Sequence, residues 1–116
     1  MAHRDEPAWL RAEREYVDDL KHRGTIPQLF EESAERHVDH DAQLYKGGIY
    51  NRSLHSVIPR AEPGEYAALT YGEMRDIVRT LAAGFRDLGL DAGDRVGIYA
   101  NTRMEWAQTD LALLAA

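Results

Sequence analysis

The stretch that decides the fold is Gly93–Ala116, GDRVGIYANTRMEWAQTDLALLAA. The alternation of Val96 and Ile98 with polar or small residues predicts a strand over Arg95–Tyr99, and an alanine- and leucine-rich helix follows it. A strand that feeds a helix usually belongs to a parallel sheet, to which the chain returns by a crossover. The returning strand would begin after Ala116, so we expect the domain to continue beyond that residue.

Two polar residues separate this strand from this helix. Asn101 and Thr102 are predicted to form the turn and to cap the helix. The apolar faces of the unit would lack the strands that normally cover them, so we expect the chain to be marginally stable or to self-associate. These faces are formed by Val96, Ile98, Leu111 and Leu114.

Length and composition indicate one small globular domain or part of one. The chain has 116 residues, of which 44% are hydrophobic and 29% charged. It has no cysteine, which excludes disulfides, thiolate metal sites and a cysteine nucleophile. A net charge of −6 argues against nucleic acid as a partner, because such surfaces are usually basic.

The sequence contains no predicted transmembrane segment. The apolar run Leu111–Ala116 is far shorter than the ~20 residues that a membrane-spanning helix needs, and no secretory signal follows Met1. We expect a cytoplasmic protein. Peripheral membrane contact is a secondary expectation, because Pro7–His22 predicts an accessory helix with Trp9 and Tyr16 on its apolar stripe. Acidic residues dominate the other face of this helix, which favours packing on its own protein.

A second helix is predicted from Thr25 to His37. Thr25 and Gln28 have the spacing of a capping box, and Pro27 lies in the first turn, where its missing N–H costs little. After this helix we expect a short strand over Ala42–Lys46. A turn at Gly47 and Gly48 and a long loop or irregular hairpin over Ile49–Tyr66 are predicted to follow.

The third helix opens at Leu69–Met74, LTYGEM. Thr70 and Glu73 again have capping-box spacing, and Gly89 occupies the position of a left-handed C-terminal cap. The periodic apolar face predicts that the helix packs on a sheet, which gives an α/β fold. This face consists of Met74, Ile77, Val78, Leu81, Ala82, Phe85 and Leu88.

Three segments together resemble the AMP-forming acyl-CoA synthetases of the adenylate-forming superfamily. LTYGEM is similar to the family motif L-T/S-Y-x-E-L, and Thr25–Phe30 is similar to T-x-P-x-L-F. GDRV followed by Asn101, Glu105 and Trp106 is similar to GDRV with an N-x-x-E-W turn, with one residue more. The stretch Glu105–Ala116 most resembles long-chain fatty acid CoA ligases.

The resemblance implies the first part of a large adenylate-forming domain, with helices packed on a partial sheet. It divides the chain into an extension helix at 1–24 and the truncated start of the synthetase domain at 25–116. Such enzymes activate a fatty acid with ATP and Mg²⁺ and transfer the acyl group to coenzyme A. We expect none of these cofactors to bind this chain well, because no phosphate loop followed by lysine occurs in it.

The resemblance places the catalytic groups beyond Ala116, so we assign no catalytic, cofactor-binding or metal residue to this chain and expect it to be inactive alone. The implied partners are a fatty acid and the remainder of the synthetase domain. Two alternatives stay open. One is a non-catalytic interaction module or decayed fragment, and the other is an adenylating enzyme with a different acyl acceptor.

Other polar clusters favour structural roles. His37 and His40 with Asp39 and Asp41 could approach a metal, but a terminal histidine more often contacts helix carbonyls. His55 near Ser53 and Ser56 lacks an orienting carboxylate for nucleophilic catalysis. Thr70, Tyr71 and Glu73 are interpreted as helix-starting residues. The carboxylate pairs Asp18–Asp19 and Glu31–Glu32 are interpreted as residues of solvated helix faces. The glycines are interpreted as turn and strand glycines: Gly47, Gly48, Gly93 and Gly97.

Overall fold

The computed structural model describes residues 6–20, 24–48 and 58–116. The elements in chain order are α1 (Ala8–Leu20), α2 (Ile26–Arg36), β1 (Asp41–Lys46), β2 (Tyr66–Thr70), α3 (Tyr71–Asp87) and α4 (Met104–Ala115). The structure confirms the expected α/β class, with helices packed on a small sheet.

Both predicted capping boxes form. The Thr25 hydroxyl accepts from the Gln28 N–H, and the Gln28 side chain accepts from the Thr25 N–H at 3.0 Å. The Thr70 hydroxyl and Glu73 carboxylate make the same reciprocal pair at the start of α3, at 3.1 and 3.2 Å. Each box satisfies amides that a helix start otherwise leaves without partners, which is why these two starts could be predicted from sequence.

The end of α3 is also the one predicted. Gly89 has φ +101°, and its N–H donates to the Arg86 carbonyl at 3.0 Å. The Leu90 N–H donates to the Phe85 carbonyl at 3.1 Å, which completes a Schellman motif. Leu88 departs from the prediction, because the helix ends there and leaves this side chain 85% exposed.

The sheet differs from the parallel sheet that was expected. β1 pairs antiparallel with β2, with Leu44 opposite Ala68 and Lys46 opposite Tyr66. β1 was predicted, whereas β2 was assigned partly to the loop and partly to α3. Residues 49–57 of the predicted loop lie outside the described residues. The backbone pairing of the two strands continues one residue beyond Lys46, where the Gly47 N–H donates to the Glu65 carbonyl at 2.8 Å.

The predicted strand Arg95–Tyr99 is wrong for the described residues. No described strand lies alongside this segment, and a strand exists only through the ladder of hydrogen bonds to a neighbouring strand. Val96 is 50% exposed and Tyr99 is fully exposed. The predicted cap of α4 is also wrong: the N-cap is Arg103, whose side chain makes no capping bond.

Two apolar clusters form the core. One joins α3 to α4 through Met74, Val78, Ala82 and Ala112, with Phe30 of α2 packed against it. The other packs the sheet on α3 and consists of Tyr45, Ile58 and Leu69, with Ile77 and Met104 at its edge. The prediction that α3 packs on a sheet is confirmed, and its second partner is α4.

Helix α1 does not pack as expected on the described part of the chain. Trp9 is 67% exposed, and Tyr16 and Val17 are exposed as well. Its amphipathic pattern was therefore sufficient to predict the helix but not a neighbour for the apolar stripe. No helix in the described ranges is long and apolar enough to span a membrane.

Candidate functional site

A pair of glutamines connects α4 to the sheet. The Gln108 Nε2 donates to Gln43 Oε1 at 2.8 Å, and Gln43 Nε2 donates to the Met104 carbonyl at 3.0 Å. Gln108 is only 1% exposed, and Gln43 is half-buried on the same face of β1 as Tyr45. The sequence analysis missed this pair. A polar residue four positions after Met104 and four before Ala112 was the available indication, because these positions share one helix face.

The LTYGEM segment forms a junction between three elements. The Tyr71 N–H donates to the His40 carbonyl at 2.9 Å, and the Gly72 N–H donates to the Val38 carbonyl at 3.0 Å. These bonds join the start of α3 to the turn that connects α2 with β1. Thr70 and Glu73 are engaged with each other, so the described geometry gives this motif the helix-starting role that was predicted.

His37 and His40 come together, but not on one helical face. α2 ends at Arg36, and the turn that follows stacks the two imidazole rings with centroids 5.2 Å apart and planes 28° apart. His37 also lies 6.2 Å from the Tyr71 ring, centroid to centroid. Within the described ranges, no three histidine or carboxylate side chains are grouped so that they could hold a metal ion. Ser53, His55 and Ser56 lie outside the described residues.

Glu31 lies at the surface, as predicted, and also pairs with a side chain of a neighbouring helix. Arg79 of α3 donates to the Glu31 carboxylate of α2 through Nε at 2.9 Å and through Nη2 at 2.6 Å. The hydrogen bond and charge of Glu31 raise the pKa of Arg79 above its ordinary value. The pair joins α2 to α3 on the outside of the molecule.

A depression with a mixed apolar and acidic lining borders α4 on the side away from the core. We call it the α4 trough. It lies between segment 90–98 and the helix, and its volume is about 460 Å³. Its lining includes Leu90, Val96, Ile98, Leu113 and Leu114, with Asp91, Asp94 and Asp110 among them. Leu114 is 51% exposed. Val96, Ile98 and Leu114, which were expected to be uncovered, therefore meet in one place. The expectation was wrong for Leu111, which packs against the core cluster that joins α3 to α4.

The helix starts and the Gly47 turn are not built as phosphate sites. Helix N-termini bind phosphate through free amides, and the capping boxes of α2 and α3 each occupy two of those amides, one of them with a side chain that would compete with the anion. The first turn of α4 carries the carboxylate of Glu105, to which Arg103 Nε donates at 3.2 Å. Gly47 cannot form a phosphate cradle either, because a Cβ there would lie 2.1 Å from the Glu62 carbonyl oxygen. That glycine allows two backbone segments to approach each other.

The sequence profile of the AMP-binding enzyme family matches residues 30–116. The chain therefore belongs to the AMP-binding enzyme family, whose members are adenylate-forming enzymes.

Individual relatives fall into two functional groups. A long-chain-fatty-acid–CoA ligase of Mycobacterium tuberculosis is 41% identical over 59 residues, which are 51% of this chain and 10% of the relative. Long chain acyl-CoA synthetase 8 of Arabidopsis thaliana is 30% identical over 93 residues, covering 71% of this chain and 12% of the relative. Surfactin synthase subunit 1 of Bacillus subtilis is 32% identical over 92 residues, covering 79% of this chain and 2% of the relative.

The chain thus spans only a small part of the relatives that it matches, about a tenth of the M. tuberculosis ligase. No solved structure matches it significantly.

Proposed function

We propose that this chain is the N-terminal portion of a long-chain fatty acid CoA ligase. The whole enzyme would use ATP and Mg²⁺ to convert a fatty acid into an acyl-adenylate and would then transfer the acyl group to coenzyme A. The family match and the two fatty-acid relatives support this proposal. We propose a cytoplasmic location for the enzyme. In this proposal residues 1–24 are an extension and residues 25–116 begin the synthetase domain.

The observation that carries the proposal is the surface of α4. This helix has apolar residues on all sides, a pattern typical of a helix buried within a larger protein. One side packs on α3 and α2, while Trp106 and Leu114 on other sides stay about half exposed. In our proposal the remainder of the synthetase domain covers the α4 trough, and the chemistry belongs to that remainder. The chain itself contributes no catalytic, cofactor-binding or metal residue, and it binds ATP, Mg²⁺ and coenzyme A poorly.

The second candidate is an adenylating enzyme with another acyl acceptor. It is favoured by the surfactin synthase subunits, whose similarity extends over 79% of the chain. A non-catalytic interaction module is the remaining alternative, in which a different protein would cover the trough.

Split-enzyme complementation tests these proposals. The chain alone should show no exchange of pyrophosphate into ATP with any fatty acid. Produced together with a mycobacterial ligase that lacks the matching segment, it should restore long-chain acyl-CoA formation. The mycobacterial segment supplied in the same way is the positive control, and Leu114→Glu should weaken the complementation.

The outcomes separate the candidates. Exchange by the isolated chain would overturn the placement of the chemistry outside it. Restored formation of the acyl-adenylate without transfer of the acyl group to coenzyme A would favour the second candidate. If the mycobacterial segment complements and this chain does not, the interaction module is favoured.

A further inference from the structure

The packing of α4 presents a problem of specificity. The helix is rich in alanine and leucine on every side, so its apolar pattern does not define which face must lie against the core. Another rotation would bury Leu113 and Leu114 in place of Ala112, the smaller apolar residue that is fully buried now. The face that does lie inside carries a polar residue, Gln108, at 1% exposure.

The two glutamines define a single orientation of the helix. Gln43 holds two groups that are one helical turn apart, the Met104 carbonyl and the Gln108 side chain. Turning α4 about its axis would withdraw Gln108, and sliding it along the axis would withdraw the Met104 carbonyl. Either movement would leave buried amide groups without partners, which is strongly unfavourable away from water.

We propose that the Gln43–Gln108 pair is a register lock, which selects the rotation and the height at which α4 packs against β1. Buried polar pairs can specify one arrangement among several that apolar contacts alone would permit. The lock turns Trp106 and Leu114 outward and thereby sets which residues of α4 face the α4 trough. The inference concerns the folded chain itself and stands apart from the reaction of the whole enzyme.

Trp106 provides a direct measure of this orientation. The sequence contains two tryptophans, so Trp9→Phe leaves Trp106 as the only one. Trp106 is 44% exposed in the locked arrangement. Successive residues of a helix differ by about 100° in direction, so a change of register should alter acrylamide quenching of Trp106 by roughly twofold.

The test compares three variants in the Trp9→Phe background. Gln43→Leu with Gln108→Leu replaces the polar pair by an apolar one, and we expect a cooperatively folded chain with altered Trp106 quenching. Gln108→Met removes the hydrogen bond while it retains an unbranched side chain, and the same direction of change is expected. Thr109→Val alters a different side of α4 and should leave the quenching unchanged.

Three results would overturn the proposal. The first is wild-type quenching in the folded double variant and in Gln108→Met. The second is an equal change in Thr109→Val, since quenching would then respond to any substitution in α4. The third is a loss of cooperative folding in both glutamine variants, because the pair would then be required for folding and not for register.

Discussion

The first turn of α3 lies directly against Val38: the Gly72 N–H donates to the Val38 carbonyl at 3.0 Å, and a Cβ at position 72 would lie 2.8 Å from Val38 Cγ2. The same Cβ would lie 3.2 Å from the Val38 carbonyl oxygen. Helix propensity alone would favour alanine at this position, so its glycine reflects a tertiary contact.

Gly72→Ala should therefore destabilise the chain by about 1–3 kcal/mol, the usual range for overpacking at a tight contact. Gly84→Ala is the matched control. Gly84 lies in the same helix, and a Cβ there would meet nothing within 4 Å, so this change should stabilise by about 0.5–1 kcal/mol. Urea unfolding followed by circular dichroism measures both, and equal effects of the two substitutions would contradict the proposed role of the contact.

The capping boxes should contribute to stability in proportion to the amides that they satisfy. Thr70→Ala removes the acceptor for the Glu73 N–H and should cost about 1 kcal/mol. Glu73→Gln should cost less, because glutamine fills the same position in the α2 box at Gln28. The measurement is the urea midpoint at constant m-value. A neutral Thr70→Ala would show that the cap is not a stabilising feature.

The Arg79–Glu31 pair should stabilise the packing of α2 on α3 in a way that depends on salt. Arg79→Met should lower the melting temperature at low ionic strength, and molar salt should narrow the difference from wild type because the pair is exposed. The melting temperature of Arg79→Lys should lie between those of wild type and Arg79→Met, since an ammonium group cannot reproduce the bidentate contact of a guanidinium.

This contribution should not change between about pH 6 and pH 9. Because Glu31 raises the pKa of Arg79, the stabilisation is complete below the ordinary pKa of arginine. It is lost only as the pH rises through the raised value in strongly alkaline solution. Thermal melts of wild type and Arg79→Met between pH 6 and pH 9 check that the difference in melting temperature is constant. Arg95→Met, in segment 90–98, is the control. A difference in melting temperature between wild type and Arg79→Met that grows with salt concentration would contradict a stabilising Arg79–Glu31 pair.

The α4 trough should make the isolated chain self-associate. Sedimentation velocity at increasing concentration should show oligomers, and Leu114→Glu should shift the chain toward monomer by placing a charge on the apolar wall. Leu88→Glu is the control, because Leu88 is more exposed than Leu114 and does not line the trough. A compact monomer at every concentration, melting cooperatively, would be incompatible with this expectation.

Local sequence patterns were sufficient to predict much of the fold. The bounds of α2 and α3 follow from hydroxyl–carboxylate or hydroxyl–amide spacing at their starts, and Gly89 marks the end of α3. The pairing of β2 could not be predicted in the same way. Tyr66–Thr70 is short and runs directly into the cap of α3, so its strand character depends on β1 at a distant position.

The sequence by itself determined the helices, the caps of α2 and α3, the α/β class and the resemblance to the synthetase family, because each rests on residues that are close together in the chain. Only the tertiary structure decided that Arg95–Tyr99 has no strand partner among the described residues and that Gln43 holds Gln108. A strand's hydrogen bonds and a buried amide's partner both come from chain segments far away in sequence, so no local pattern specifies them. The stretch Gly93–Ala116 thus contributed to the family resemblance and to the expectation of uncovered apolar faces, while the folded chain showed that Leu114 is exposed and that Leu111 packs against the core.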